Sequence, residues 1–219
     1  MKISYKHILP GVAILCTGTS SLHGATIVTS GDISAAATNP DTANLGDVSI
    51  TIGDFTIAST GTAGNLGWGA FGSNPEFIGT TGINLGRTVE GGEQLTLSFT
   101  SPVSLVSLSL GDHGANDNDA VISGFSSDPG ASVTGLPAGW TVSYAAGAVS
   151  IDSNGNSGYL QTYTVNFAST VDVTSLEITA SNVTGGAAGV GFVDVTYVPE
   201  PSSALVGGLG VLCLLRRRR

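Results

Sequence analysis

Positive charge is almost missing from the body of this chain. Lys2 and Lys6 stand near the N-terminus and Arg216, Arg217, Arg218 and Arg219 at the C-terminus; between them the one Lys or Arg is Arg87. The acidic residues, 16 in the chain, fall in that same stretch. So acidic a surface repels phosphates, which argues against DNA or RNA as a partner. Cysteine is missing from the middle as well, because Cys16 and Cys213 each lie inside an apolar terminal run. That excludes an intradomain disulfide and a cysteine-based zinc site. Histidine is scarce, and once a leader is removed only His113 is left. A Ser-His-Asp triad would need His113, and no Gly-x-Ser-x-Gly elbow occurs. With the usual acids, bases and nucleophiles so depleted, the expectation is a protein that is not an enzyme. A glycoside hydrolase using paired carboxylates is the less favoured alternative.

What the chain does contain is glycine (32 residues) with few charged residues (11%). This composition suits short strands and tight turns rather than helices. The two ends differ from the middle. Met1–Lys6 is basic, Ile8–Cys16 is a short apolar run, and Thr17–Ala25 is small and polar. That order predicts a secretory signal peptide over residues 1–25, with cleavage after Gly24 or Ala25. Leu15 stands before Cys16 where a lipobox takes a small residue, so a lipoprotein is not expected.

At the other end Val198-Pro199-Glu200-Pro201-Ser202-Ser203 precedes the apolar run Ala204–Leu215 and four arginines. Paired prolines cannot continue a ladder and predict an extended linker. As a helix, the 12-residue apolar run would reach about 18 Å. That is short of a hydrocarbon core of about 30 Å, a gap that snorkelling arginines and local thinning reduce. Arg216–Arg219 would stop the segment on the cytoplasmic side, leaving the domain outside.

Taken together, Pro199, Glu200 and Pro201 with Ser202 and Ser203, the Gly-rich apolar run and the arginine cluster resemble the PEP-CTERM sorting signal of Gram-negative bacteria that make extracellular polysaccharide. The resemblance covers residues 198–219. It implies recognition by an exosortase, a transpeptidase-like membrane enzyme expected to cut near the Pro-Glu-Pro motif. It also implies transient residence at the inner membrane, then a place at the cell surface or in the extracellular matrix.

The region 26–197 reads as one all-β domain. Val48, Ile50 and Ile52 alternate with polar residues, and so do Leu95, Leu97 and Phe99. Val103 and Leu105 start a pattern that resumes out of phase at Val106, Leu108 and Leu110, as a β-bulge would produce. Trp140, Val142 and Tyr144 form a further set, as do Tyr163, Val165 and Phe167, then Leu176 and Ile178, then Val193, Val195 and Tyr197. Turn-forming clusters such as Asp128-Pro129-Gly130 separate them. About ten strands without crossover helices predict an antiparallel, jelly-roll-like β-sandwich. Gly111–Asp119 and Ser153–Gly158 are expected to be loops at its ends.

Two sites of binding chemistry follow. Asp112, Asn116, Asp117 and Asp119 crowd one polar stretch with the oxygen donors that Ca²⁺ prefers, without EF-hand spacing. Trp68, in a Gly-rich stretch, is of the aromatic rings the one best placed to be exposed for stacking on a sugar, with exopolysaccharide as the candidate partner, although packing in the core is the favoured reading for large aromatics. Trp140 and Tyr144 are expected to be buried, since large aromatics mostly pack inside.

Overall fold

The computed structural model describes residues 24–40, 43–61, 64–69, 77–80, 93–113, 119–145, 147–153, 161–168, 171–181 and 189–200; of Gly61, Asp112, His113, Asp119, Gln161 and Ser181 it describes the backbone alone. The predicted signal peptide, the apolar tail and Arg216–Arg219 lie outside these residues. Gly24–Glu200 is one compact unit. No helix among the described residues is long and apolar enough to cross a membrane.

The unit is all-β, and its described residues form thirteen strands and one seven-residue helix. In chain order they are β1 (Thr26–Thr29), α1 (Ser30–Ala36), β2 (Ser49–Ile52), β3 (Phe55–Gly61), β4 (Leu66–Gly69), β5 (Phe77–Thr80) and β6 (Glu93–His113). There follow β7 (Asp119–Ser123), β8 (Ser132–Thr134), β9 (Thr141–Ala145), β10 (Ala148–Asp152), β11 (Gln161–Asn166), β12 (Asp172–Ser181) and β13 (Gly189–Pro199). Neighbouring strands in the ladders are antiparallel.

The long strand β6 belongs to two layers. Its first half runs between β3 and β12, and that layer continues through β7 and β10 to β9. Its second half runs between β11 and β13. On the far side of β13 lie β5, opposite Phe192, and β1, opposite Asp194–Tyr197. The change of layer falls around Pro102, where the register with β12 shifts and no proline N–H is needed.

Alternation explains which side chains meet between the layers. Leu95, Leu97, Ile57, Leu176 and Ile178 are buried on one, and Leu105, Leu108, Leu110, Val165 and Val195 on the other. Rings bridge the gap. Phe55 of β3 stacks on Phe192 of β13 at 6.0 Å, Phe125 meets Phe167 at 5.4 Å, and Trp140 meets Tyr163 at 5.9 Å. This is a sandwich-like core, closed by apolar burial.

The outward positions are held by hydroxyls. Thr51 pairs with Thr56 at 2.8 Å, Thr60 with Thr96 at 3.0 Å and Ser109 with Thr164 at 3.0 Å, while Asn166 Nδ2 donates to Thr134 Oγ1 at 3.2 Å. The described residues contain no Lys or Arg. Cross-strand threonine and serine pairs take the place that ion pairs hold on many sheet surfaces.

Three sequence expectations are corrected. Gly111, Asp112 and His113 are not loop but the last residues of β6, paired with Gly191, Val190 and Gly189, and Asp119 pairs with Ser181. Flanking partners impose the ladder there despite the polar sequence. Tyr144 is 44% exposed. It does share the inner face with Val149, but β9 is the last strand of its layer. The domain also continues beyond residue 197, because β13 runs to Pro199.

Candidate functional site

The register of β13 defines two ends of one ladder, and the residues singled out in the sequence divide between them. At one end Tyr197 is paired with Leu105 of β6 and, on its other side, with Thr26 of β1. Val198 then faces Ser104, and Pro199 faces Val103. Glu200 is exposed, as are Ala25 and Gly24. The first and last described residues of the domain therefore lie at one place. Of the Pro-Glu-Pro residues singled out in the sequence, Pro199 is in the sheet, Glu200 has just left it, and Pro201 lies outside the described residues.

Tyr197 anchors this end. It is 2% exposed, and its ring lies edge-on to Phe99 at 4.9 Å. Burial pushes the phenol above its ordinary range, and the Asp54 carboxylate adds to the rise. A capping box fixes the strand opposite. Thr29 N–H and Oγ1 both donate to Asp32 Oδ2, at 2.9 and 2.7 Å, and Asp32 N–H donates to Thr29 Oγ1 at 3.2 Å. These bonds hold the Asp32 carboxyl below the usual carboxylate range. Val28 and Ile33 are buried, so β1 and α1 close over the core beside β13.

At the other end His113 faces Gly189 and Asp112 faces both Val190 and Gln161. Asp119 and Ser181 face each other on the neighbouring pair. The stretch that carries the candidate calcium donors therefore starts on one ladder and ends on another. Asp112 and Asp119 mark those two places, and Asn116 and Asp117 lie outside the described residues. Gly189 and Pro199 are the first and last of the 11 residues of β13, which places the two ends roughly 33 Å apart. Among the described residues no three His, Cys, Asp or Glu side chains gather as a metal site would require.

Trp68 is only half exposed. It packs against the core on β4, facing Ile78 of β5, and its buried Nε1 has no hydrogen-bond partner among the described residues. The Gly-rich flanks suggested an exposed ring, but a four-residue strand paired with β5 turns one side inward. A cleft of about 140 Å³ between Phe125–Gly130 and the residues Ala168, Val171 and Asp172 carries two carboxylates. Asp128 Oδ1 accepts the Gly130 N–H at 2.9 Å and Asp172 Oδ1 accepts the Ser104 hydroxyl at 2.8 Å.

No family model, curated protein or solved structure matches this chain.

Sequence reasoning missed the pairing of the first strand with the last, because β1 offers only one buried side chain, Val28, to any pattern. It also missed Glu93, which is 5% exposed and accepts a hydrogen bond from Thr80 Oγ1. The signal was there: Glu93 is in phase with Leu95, Leu97 and Phe99, and the inward face of β6 begins with it.

Proposed function

We propose that this is an exported, non-catalytic protein of the cell surface or extracellular matrix, sorted through its C-terminal segment. In this reading residues 1–25 are a signal peptide. Pro199, Glu200 and Pro201 are the recognition motif of an exosortase, and Arg216–Arg219 stop the apolar segment, as a short helix, in the inner membrane. The observation that carries it is the common exit. Gly24 and Glu200 leave the domain at one end of β13, so both terminal segments can reach one membrane without crossing the fold. The acidic loop stems at the other end would face away. A jelly-roll-like strand order within the sandwich belongs to the same reading.

The sorting step is a transfer of the peptide carbonyl. The enzyme's nucleophile displaces the amine of the following residue, the tail leaves with that amine, and water or an acceptor amine then releases the domain. In this reading the chain is the substrate and the enzyme supplies nucleophile and base, which agrees with the chain's shortage of His, Lys and Cys between Thr26 and Pro199. The test is the triple variant Pro199→Ala, Glu200→Ala, Pro201→Ala. It is expected to stay in the membrane fraction with its tail attached, whereas the unaltered chain reaches the surface. Equal arrival of both at the surface would contradict the reading.

Exopolysaccharide binding through Trp68 is the second reading. The partly exposed ring keeps it in view. Retardation in polysaccharide-loaded gels that is abolished by Trp68→Ala would support it; unchanged retardation would remove it.

A further inference from the structure

The last rungs of β13 put part of the proposed recognition motif inside the fold. Val198 and Pro199 are half-buried and paired with Ser104 and Val103. An enzyme that transfers a peptide bond binds its substrate as an extended segment free of other partners, and folded ladders resist such capture until they open locally. We infer that the end of β13 is a latch: Val198 and Pro199 must detach from Ser104 and Val103 before the sorting enzyme closes on the motif, with Tyr197 as the point where detachment stops. This inference rests on the sorting reading given above.

Three observations support the latch. The first is length. Only Glu200–Ser203 separate Pro199 from the apolar run at Ala204, and four residues span at most about 14 Å. An enzyme working at the membrane surface has little chain to grip there, and releasing Val198 and Pro199 adds about 7 Å.

The second is that these two rungs are weak. Pro199 has no N–H to give to the ladder, and Glu200 beyond it is exposed. Opening from this end needs no buried ring to move.

The third is the barrier immediately before them. Tyr197 is 2% exposed, is set edge-on to Phe99, and is paired on both sides, with Leu105 and with Thr26. Opening past Tyr197 would unseat a buried aromatic and break the contact between the first and last strands. The accessible segment therefore begins at Val198, and the mature C-terminus lies at or beyond Pro199.

A cross-strand disulfide tests this directly. Paired positions on antiparallel strands have Cα atoms about 4.5–5.5 Å apart, within reach of a disulfide. The domain has no native cysteine to interfere. Val198→Cys with Ser104→Cys, in a full-length Cys213→Ser chain exported by its own host, closes the latch when oxidised. Loss of the tail, read by intact mass, is expected to slow at least tenfold in the oxidised form and to recover on reduction. In a second variant, Gly-Ser-Gly-Ser inserted between Tyr197 and Val198 holds the latch open and is expected to speed processing. An oxidised form processed at the reduced rate, or an insertion without effect, would overturn the latch while leaving sorting intact. Retention of Arg219 on the unaltered surface protein would instead overturn the sorting reading, and the latch with it.

Discussion

Thr26 stands directly across the ladder from Tyr197, so the first strand of the domain is zipped to the last. The contact joins residues from opposite ends of the domain's sequence, and its side-chain anchor is the Tyr197 ring against Phe99. Tyr197→Ala is expected to lower unfolding stability by about 3–5 kcal/mol, the usual cost of removing a buried ring. Tyr197→Phe should keep most of that stability, because the ring packing stays. Urea denaturation of the two variants measures the difference.

The capping box at the start of α1 makes a smaller and separable contribution. Thr29→Ala removes the acceptor for Asp32 N–H and one of the donors to the Asp32 carboxylate. A loss of about 1 kcal/mol is expected in urea denaturation.

Gly111 has no room for a side chain. A Cβ at this position would fall inside the ring of Phe77. Gly111→Ala is expected to destabilise the domain by about 1–3 kcal/mol through overpacking. Gly24→Ala, where a Cβ meets nothing within 4 Å, is expected to leave the melting temperature unchanged. Thermal melts of both variants check the contrast.

Stability should fall at both extremes of pH, for different groups. Hydrogen bonds from the Thr29 side chain and backbone depress Asp32 below 3.8, and the Thr38 backbone and side chain do the same for Asp47. A depressed carboxyl contributes stability that is present above its unfolded value and lost as pH falls through the folded one. Both groups are largely solvated, so the loss is modest, and Asp32→Asn should flatten part of the acid limb. Tyr197 is raised above 10.0, chiefly by burial. Its contribution is complete below the unfolded value and is lost as pH rises through the folded one. Tyr197→Phe should therefore flatten the alkaline limb. Denaturation midpoints measured across the pH range test all three assignments.

Salt should stabilise this domain. Arg87 is the one Lys or Arg between Thr26 and Glu200, so the carboxylates there mostly repel one another. Screening shortens that repulsion, from a Debye length of about 30 Å at 0.01 M to about 8 Å at 0.15 M. The melting temperature is expected to rise over that range. A fall would mean that attractive ion pairs dominate.

Much of the fold was legible because burial on one face repeats every second residue. Leu95, Leu97 and Phe99 are buried as their alternation predicted. The phase slip after Leu105 is a real bulge: Tyr197 faces Leu105 and Thr196 faces Ser107, which leaves Val106 outward at 41% exposure. Asp128-Pro129-Gly130 is a turn, with Gly130 at φ 56° and its N–H held by Asp128. What failed depended on neighbours. Gly111–His113 reads as loop by composition, yet β11 and β13 hold it in the ladder from both sides. Tyr144 reads as core by period, yet its strand has a partner on one side only in the strand order. Pro199 lacks a donor and was expected to end the sheet sooner, but at a final rung that donor is dispensable. Of the candidate site, Pro199, Glu200 and Pro201 could be singled out from sequence. Their position beside the first strand could not, because nothing local encodes which distant strand completes a ladder.

The most direct test of the account is the intact mass of the protein recovered from the cell surface of its own host. The account predicts a chain that begins at or near Ala25 and lacks the apolar run and Arg216–Arg219. A surface protein whose mass includes both Met1 and Arg219 would contradict it.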